Sequence, residues 1–593
     1  MTGRFLDLEI RRGAPETLRN VVRHGDEAQF QQAMTRQHRT VHKRLAKSAA
    51  SGASSILWSE DQLRMTPADQ ELTSLLAGNK RCRRAARNVA VESLLDGDCR
   101  PLIVLTCVDT LVRHGREMNH SKYVALYTAL SRIDRIRANP DTTDEAEQFV
   151  QRLICEGELP LLLSLALGDL KGRSSRFKTA ARVLKLGLEA GTDTDGMLHA
   201  TLSSRADTWL VPFVRSALWG AAFGKTWLTS GQMLRLADTV RICATLLVRT
   251  GLVSDPPADV RDSDSRAAEV IEHGIQAVGI CHTSPLAALV RSHVRRRPAV
   301  REKKQSRRRP ASNQSDWAES AILRSGLRTD SDVCIVNWDQ PESSIWLAVL
   351  GIPLIAGGWS TELMINGKSR GRIEGWTCSC WFCDEEAAFV EIEAHPVESV
   401  RAVRHVILSL EDHTCIVCES VTIEDDPAAE VRLKSGLSLA ANPLAVTNSV
   451  TREIVLHADG VAARVVPAWL EDDKVQHAVG ECAKVDDRLV SEAVGHGGAL
   501  LPLVVDWHPD RQGLDADWNR LTVTEARTVL TTHHAAGYRV RIGGHQLLIY
   551  RALRPGQFAR AVLGLHTMNE SVYGRVKKSG DIAPLVLVDG NPD

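Results

Sequence analysis

Asn119 and His120 stand side by side in MNHSKYVALYTAL, with Tyr123 and Tyr127 following at helical spacing. Residues three and four apart share a helix face, so Tyr123 would lie beside Asn119 and His120. An imidazole titrating near neutrality can take or give a proton. Plainer readings compete: an asparagine at a helix start is a cap, and tyrosines on an apolar face are core aromatics. A second constellation is CSCWFC with CIVC, which contains the pairs Cys380/Cys383 and Cys415/Cys418. Two Cys-x-x-Cys pairs suit a four-thiolate structural zinc site. Against it, HTCIVCESV reads as a strand, where residues three apart point to opposite faces, and free thiols behave as small buried apolar groups. Asp339 and Glu342 flank Pro341 and could hold a cation or act as a base, or form a solvated turn. Trp338, Trp346, Trp359, Trp376 and Trp381 are five of the thirteen tryptophans. Such rings stack on the apolar faces of sugars, or fill a core. Arg205 could contact an anion, or simply be a surface arginine.

The elements that position these residues change character along the chain. From about Asp69 to Val290, segments such as KYVALYTALSRIDRI, FKTAARVLKLGLEA and GQMLRLADTVRICATLLVRTG repeat apolar residues three and four apart, the stripe of a helix packed on neighbours. Roughly seven to ten helices fit this stretch at ordinary helix lengths. After a basic run, RSHVRRRPAVREKKQSRRRP, the apolar residues fall into short, often alternating runs such as SIWLAVLG, AAFVEIEA, RHVILSL and YRVRIGG. That pattern belongs to antiparallel sheets. The expected organisation is a polar peripheral segment at 1–68, a helical domain at 69–290, a basic linker at 291–314 and a β-sandwich at 315–593.

Composition narrows the function classes. With 44% hydrophobic and 25% charged residues, and 73 basic residues against 73 acidic ones, the chain reads as globular, with no general polyanion-binding surface. Nucleic acid is therefore not the expected partner, and the basic run reads as a solvated tether. No segment approaches the ~20 apolar residues that span a bilayer, so no membrane partner is expected. Thirteen cysteines spread over the chain suit reduced thiols rather than a disulfide framework. The first residues lack the apolar core of a signal peptide, which makes the cytoplasm the expected location.

Several pieces in order resemble the heparinase II/III-like family over roughly residues 100 to 590. MNHSKYVALYTAL is similar to the Asn-His pair that opens a toroid helix. The segment from Arg176 to Leu210 resembles the helix and loop that carry an Asp-Gly, here Asp195-Gly196. RDSDSR, with Asp262 and Asp264, is similar to an acidic loop near the toroid's end. SDWAESAILRSGL, GIPLIAGGW and RHVILSLEDHTCIVCESV resemble strands of the sandwich. The resemblance implies an incomplete (α/α) toroid followed by an antiparallel β-sandwich, and an acidic polysaccharide or oligosaccharide as partner. It also implies a polysaccharide lyase that cleaves uronic-acid glycosides by β-elimination, without a cofactor, and export from the cell as the alternative location.

In that chemistry Asn119 binds the substrate carboxylate and acidifies the neighbouring carbon, while His120 is the base or a second carboxylate contact. Tyr123 joins them as a catalytic candidate; Arg205, Trp338 and Asp339 are the substrate-binding candidates. The family's His-rich segment is missing before GIPL, where VNWDQPESSIWLAVL stands, and its tyrosine after the Asp-Gly loop is replaced at Arg205 and Ala206. These departures support a second expectation, a catalytically silent descendant that binds a carbohydrate or a protein.

Overall fold

Helix caps and apolar stripes build the first half of the chain. Asn79, Asn119 and Asp144 each accept backbone N–H groups from the first turn of the helix they precede, satisfying donors that would otherwise be orphaned. The computed structural model describes residues 8–48, 67–136, 143–249, 251–252, 260–294, 311–339, 341–397, 399–440, 443–476 and 479–590. The chain divides into two units. One comprises Met1–Leu198, Arg205–Cys243 and Arg266–Val290; the other comprises His199–Ser204, Ala244–Ser265 and Arg291–Asp593. The second unit thus draws two short segments from the helical half.

In the first unit, helix Pro101–His114 is buried continuously from Leu102 to Val112, and helix Ala206–Ala222 is buried on nearly every side. Helices apolar all round must lie inside a ring of others. Helix Glu27–Ser48 places Phe30, Met34 and Leu45 in this core, which corrects the expectation that 1–68 is peripheral. RDSDSR is not a loop, since helix Val260–Val278 runs through it. Of the basic run, 291–294 close helix Pro285–Val294 and Asn313–Ser315 is already a strand. Residues 295–310 lie outside the described residues.

The second unit is built of antiparallel sheets with nine, eight, five and four strands, and a two-stranded one in its Ala244–Ser265 segment. The eight-stranded sheet lies between two others. Val406, Leu408, Cys415 and Val417 join the core shared with the nine-stranded sheet. Their neighbours Ile407, Ile416 and Cys418 join a second core with Trp518, Val540, Ile549 and Tyr573 of the five-stranded sheet. A sheet covered on both faces needs apolar residues at successive positions, which explains why RHVILSL and TCIVC do not alternate. The expected sandwich is therefore present, but with a third layer.

Two ionic clusters are buried on opposite faces of that middle sheet. On the inner face Arg404 Nε donates to Glu419 at 3.0 Å, and its guanidinium lies 4.4 and 4.0 Å from the rings of Trp359 and Trp376. On the outer face His405 Nε2 donates to Glu391 at 2.5 Å, and Tyr573 donates to His405 Nδ1. Arg551 Nη1 lies 3.4 Å from Glu391 and donates to Ser571 at 2.8 Å, while its Nη2 pairs with Glu570 at 2.8 Å. Burial opposes the Glu391 charge, but His405, Arg551 and Ser379 outweigh it and hold the carboxyl below the usual carboxylate range. Burial, and then Arg551, depress His405 below the ordinary imidazole value.

Candidate functional site

Asn119 caps helix His120–Arg132, and its Oδ1 accepts from the Ser121 N–H at 2.9 Å. That bond uses the oxygen and leaves the exposed amide NH2, a donor of the polarity a carboxylate requires. His120 is fixed by Gln31, a buried side chain whose Nε2 donates to Gly115 O at 2.6 Å and Met118 O at 2.9 Å. Those two bonds turn Gln31 Oε1 toward His120 Nδ1, which therefore carries the proton and donates it. In the neutral ring this tautomer leaves Nε2 as the nitrogen without a proton, the form a general base needs. Ser121 adds a 2.6 Å bond to Glu27, so the helix start is held to helix Glu27–Ser48 from two sides.

Tyr123 does not share that exposed end. It is fully buried, its ring packed against Phe30 and Tyr127. The hydroxyls of Tyr123 and Tyr127 have no hydrogen-bond partner among the described residues, and burial pushes both phenols well above their ordinary pKa. The helical spacing is right, but the face turns inward, and Tyr123 is a core residue. Arg205 pairs with Asp144, the residue that caps helix Glu145–Arg152; its guanidinium has a structural partner. Trp338 is 5% exposed and belongs to the sandwich core, as do Trp359 and Trp376, which corrects the reading of Trp338 as a groove residue. Asp339, next to it, is half-buried.

The four cysteines do not converge. Cys380 and Cys383 lie on edge strand Thr377–Cys383, and Cys415 and Cys418 lie on strand Thr414–Ile423. Two strands separate them: Cys380 aligns with Glu391, Glu391 with His405, and His405 with Cys418. At ~4.8 Å per strand the pairs stand about 14 Å apart, far beyond the ~4 Å between sulfurs on one tetrahedral zinc. No group of three or more His, Cys, Asp or Glu among the described residues is placed to hold a metal.

A constellation that the linear sequence did not mark lies in the second unit. Trp317, at the tip of the hairpin between Asn313–Ser315 and Ser320–Arg324, is 46% exposed, the only exposed tryptophan among the described residues. Its ring meets that of His199 edge to face at 5.4 Å. His199 Nδ1 accepts from the Thr201 N–H at 3.3 Å, which puts the ring proton on Nε2, 3.8 Å from the Glu319 carboxylate. The turn is rigidly made. Ala318 N donates to Ser315 Oγ at 3.1 Å, Glu319 N to Asp316 O at 3.2 Å, Ala200 N to Ala318 O at 2.8 Å and Trp338 N to Glu319 O at 3.0 Å. Glu319 itself sits at φ +53, a left-handed conformation that costs a non-glycine residue about 1–2 kcal/mol. An exposed indole is thus held on a hydrogen-bonded turn beside an imidazole and a carboxylate. His199 stands 118 residues before Trp317, so no local motif could have joined them; the one available signal was a histidine three residues after the Asp195-Gly196 turn.

No protein-family model matches the chain, and no curated protein matches it in sequence. Among solved structures, a mutant of heparan sulfate lyase HepC from Pedobacter heparinus superposes with a TM-score of 0.57 at 10% identity, covering 94% of this chain and 100% of that one. A structure of heparinase III gives 0.56 at 9% identity, covering 92% and 99%. The chain has the heparinase III fold, a helical toroid followed by a β-sandwich, and the family resemblance read from the motifs holds at the level of fold.

Proposed function

We propose that the protein acts on a uronate-containing acidic polysaccharide by β-elimination, with Asn119 and His120 carrying the chemistry. The observation that supports this reading most directly is the Gln31–His120 contact, which leaves His120 Nε2 as an exposed base. Asn119, through its free amide NH2, would bind the uronate carboxylate and so acidify the adjacent carbon. The proton on C5 passes to His120 Nε2, its electron pair forms the C4–C5 double bond, and the C4–O bond breaks with its pair staying on the departing oxygen. That oxygen takes its proton from solvent, since Tyr123 is buried. Independently of those residues, the Trp317 turn of the second unit would stack on a sugar ring.

The test is ultraviolet absorbance from newly formed unsaturated uronate on heparan sulfate, heparin, chondroitin and alginate, with His120→Ala and, at an exposed histidine outside both constellations, His566→Ala alongside. A signal lost in His120→Ala and retained in His566→Ala is the expected result. A signal that survives His120→Ala refutes the assignment of the base.

A second reading, a silent descendant that binds the polysaccharide without cleaving it, draws support from Tyr123 and Arg205. The phenol is buried and so cannot protonate the leaving oxygen, and the guanidinium is committed to Asp144 rather than to a substrate anion. Binding by folded protein without absorbance change on any polymer would select it.

A further inference from the structure

We infer that the Trp317 turn takes a positively charged sugar, an amino sugar whose nitrogen is unsubstituted and protonated, and this rests on the saccharide reading above. Asp316 precedes the exposed indole in sequence and Glu319 follows it by two residues, and the Glu319 carboxylate lies 3.8 Å from Nε2 of His199, whose ring meets that of Trp317. Among the described residues neither is neutralised by a lysine or arginine. Asp316 accepts from the Gln314 amide at 2.5 Å. Glu319, 41% exposed, makes its one ion pair among the described residues with the His199 ring.

A sulfate or carboxylate brought to this indole would meet like charge. A cation meets the reverse: the face of tryptophan attracts cations within about 6 Å of its centroid, and an ammonium reaching Glu319 makes a charge-assisted hydrogen bond. His199 adds a donor, Nε2–H, for a ring hydroxyl. A pyranose with its apolar face on Trp317 and an equatorial ammonium toward Glu319 uses all three groups. A neutral N-acetyl sugar uses only the indole and the imidazole. The rigidity of the turn matters here, because a cage that is already formed spends little ordering entropy on its ligand.

The experiment compares two tetrasaccharides of alternating glucuronate and glucosamine, identical but for free amines in one and N-acetyl groups in the other. Binding to the full chain is measured by calorimetry below neutral pH. The free-amine form is expected to bind roughly tenfold more tightly, about 1.4 kcal/mol. Glu319→Gln should abolish that preference, and Trp317→Ala should weaken both ligands. Equal affinity for the two forms, or a preference that survives Glu319→Gln, overturns the inference and leaves the saccharide reading standing if Trp317→Ala still weakens binding. No binding of either ligand by the folded protein refutes both the inference and the saccharide reading at this turn.

Discussion

Replacing Glu391 by alanine strips the Glu391–His405–Arg551 cluster of its central carboxylate. Arg551 is 2% exposed and lies between Glu391 and Glu570, the latter 2.8 Å away. His405, also 2% exposed, loses the acceptor for Nε2–H and keeps Tyr573 on Nδ1. Removing one partner of a buried ion pair costs about 3–5 kcal/mol when the other charge is left uncompensated; Arg551 keeps Glu570 at 2.8 Å, which holds the cost to the lower end, about 3 kcal/mol. At about 2–4 °C per kcal/mol for a domain of this class, the midpoint should fall by roughly 6–12 °C. Circular dichroism melts at pH 7 check this, with Arg404→Met as a parallel case on the opposite face. The informative comparison is Glu391→Leu combined with Arg551→Met. Replacing both charges with apolar groups of similar size removes the under-compensated guanidinium, leaves Glu570 paired with Arg401 at 2.6 Å, and such replacements are often neutral to stabilising by about 1–4 kcal/mol. A double variant as unstable as Glu391→Ala would refute the reasoning, since the loss would then come from packing or from the polar network rather than from the under-compensated guanidinium.

The same cluster fixes a pH dependence. His405 is depressed in the folded chain, so below the unfolded value of about 6.5 the unfolded state binds the extra proton and stability falls as pH drops. Glu391 is depressed too, and its contribution, present above about pH 4.3, is lost on further acidification. Denaturant melts from pH 7.5 to 5 should lose stability at up to about 1.4 kcal/mol per pH unit from His405, and His405→Gln should flatten that slope. Tyr123→Phe removes a buried hydroxyl without a partner, so stability should stay within about 1 kcal/mol of the parent or rise; a loss of several kcal/mol would show that the hydroxyl is bonded after all. Gly351 sits at φ +76, where an added Cβ would lie 2.1 Å from Thr329 O. Gly351→Ala should therefore destabilise by more than the ~1–2 kcal/mol of the backbone conformation alone, as read from denaturant midpoints. Because the cysteine pairs stand apart, a chelator should leave the melting midpoint unchanged, and a fall after dialysis against it would restore the zinc reading.

Local pattern carried the classes of element and some of the candidate site, and physical reasons mark where it stopped. The helical stripes of KYVALYTALSRIDRI are where the periodicity puts them, because an amphipathic period needs only one helix. It does not say which stripe faces a core, and Tyr123 went inward with the stripe. The strand runs were visible for the same reason. Their assembly was not, since nothing local to RHVILSL says whether its second face meets water or the sheet that holds Tyr573. The cysteine pairs show where spacing alone is ambiguous: Cys-x-x-Cys is a metal signal on a turn, and both pairs lie on strands, as the alternation of HTCIVCESV already argued for one of them. Asn119 and His120 could be paired because the cap and the imidazole after it are neighbours in sequence. Gln31, which fixes the His120 proton, comes from another helix, and a tautomer set by a distant amide leaves no trace in the local motif.

Arg404 and His405 are consecutive on strand Val400–Ser409, yet one faces the Trp359 and Trp376 rings and the other faces Arg551 and Tyr573. Side chains alternate faces along a strand, so a slip by one residue would exchange them. The guanidinium of Arg404 would then be driven toward Arg551, and an imidazole would be left between two indoles without its carboxylate. In a sheet apolar on both faces, hydrophobic pattern alone discriminates poorly between registers. The two charges supply the missing discrimination, so that a mispaired strand during assembly is rejected by unpaired charge rather than by exposed oil. An insertion or deletion within this strand should accordingly be far less tolerable than any single apolar substitution beside it.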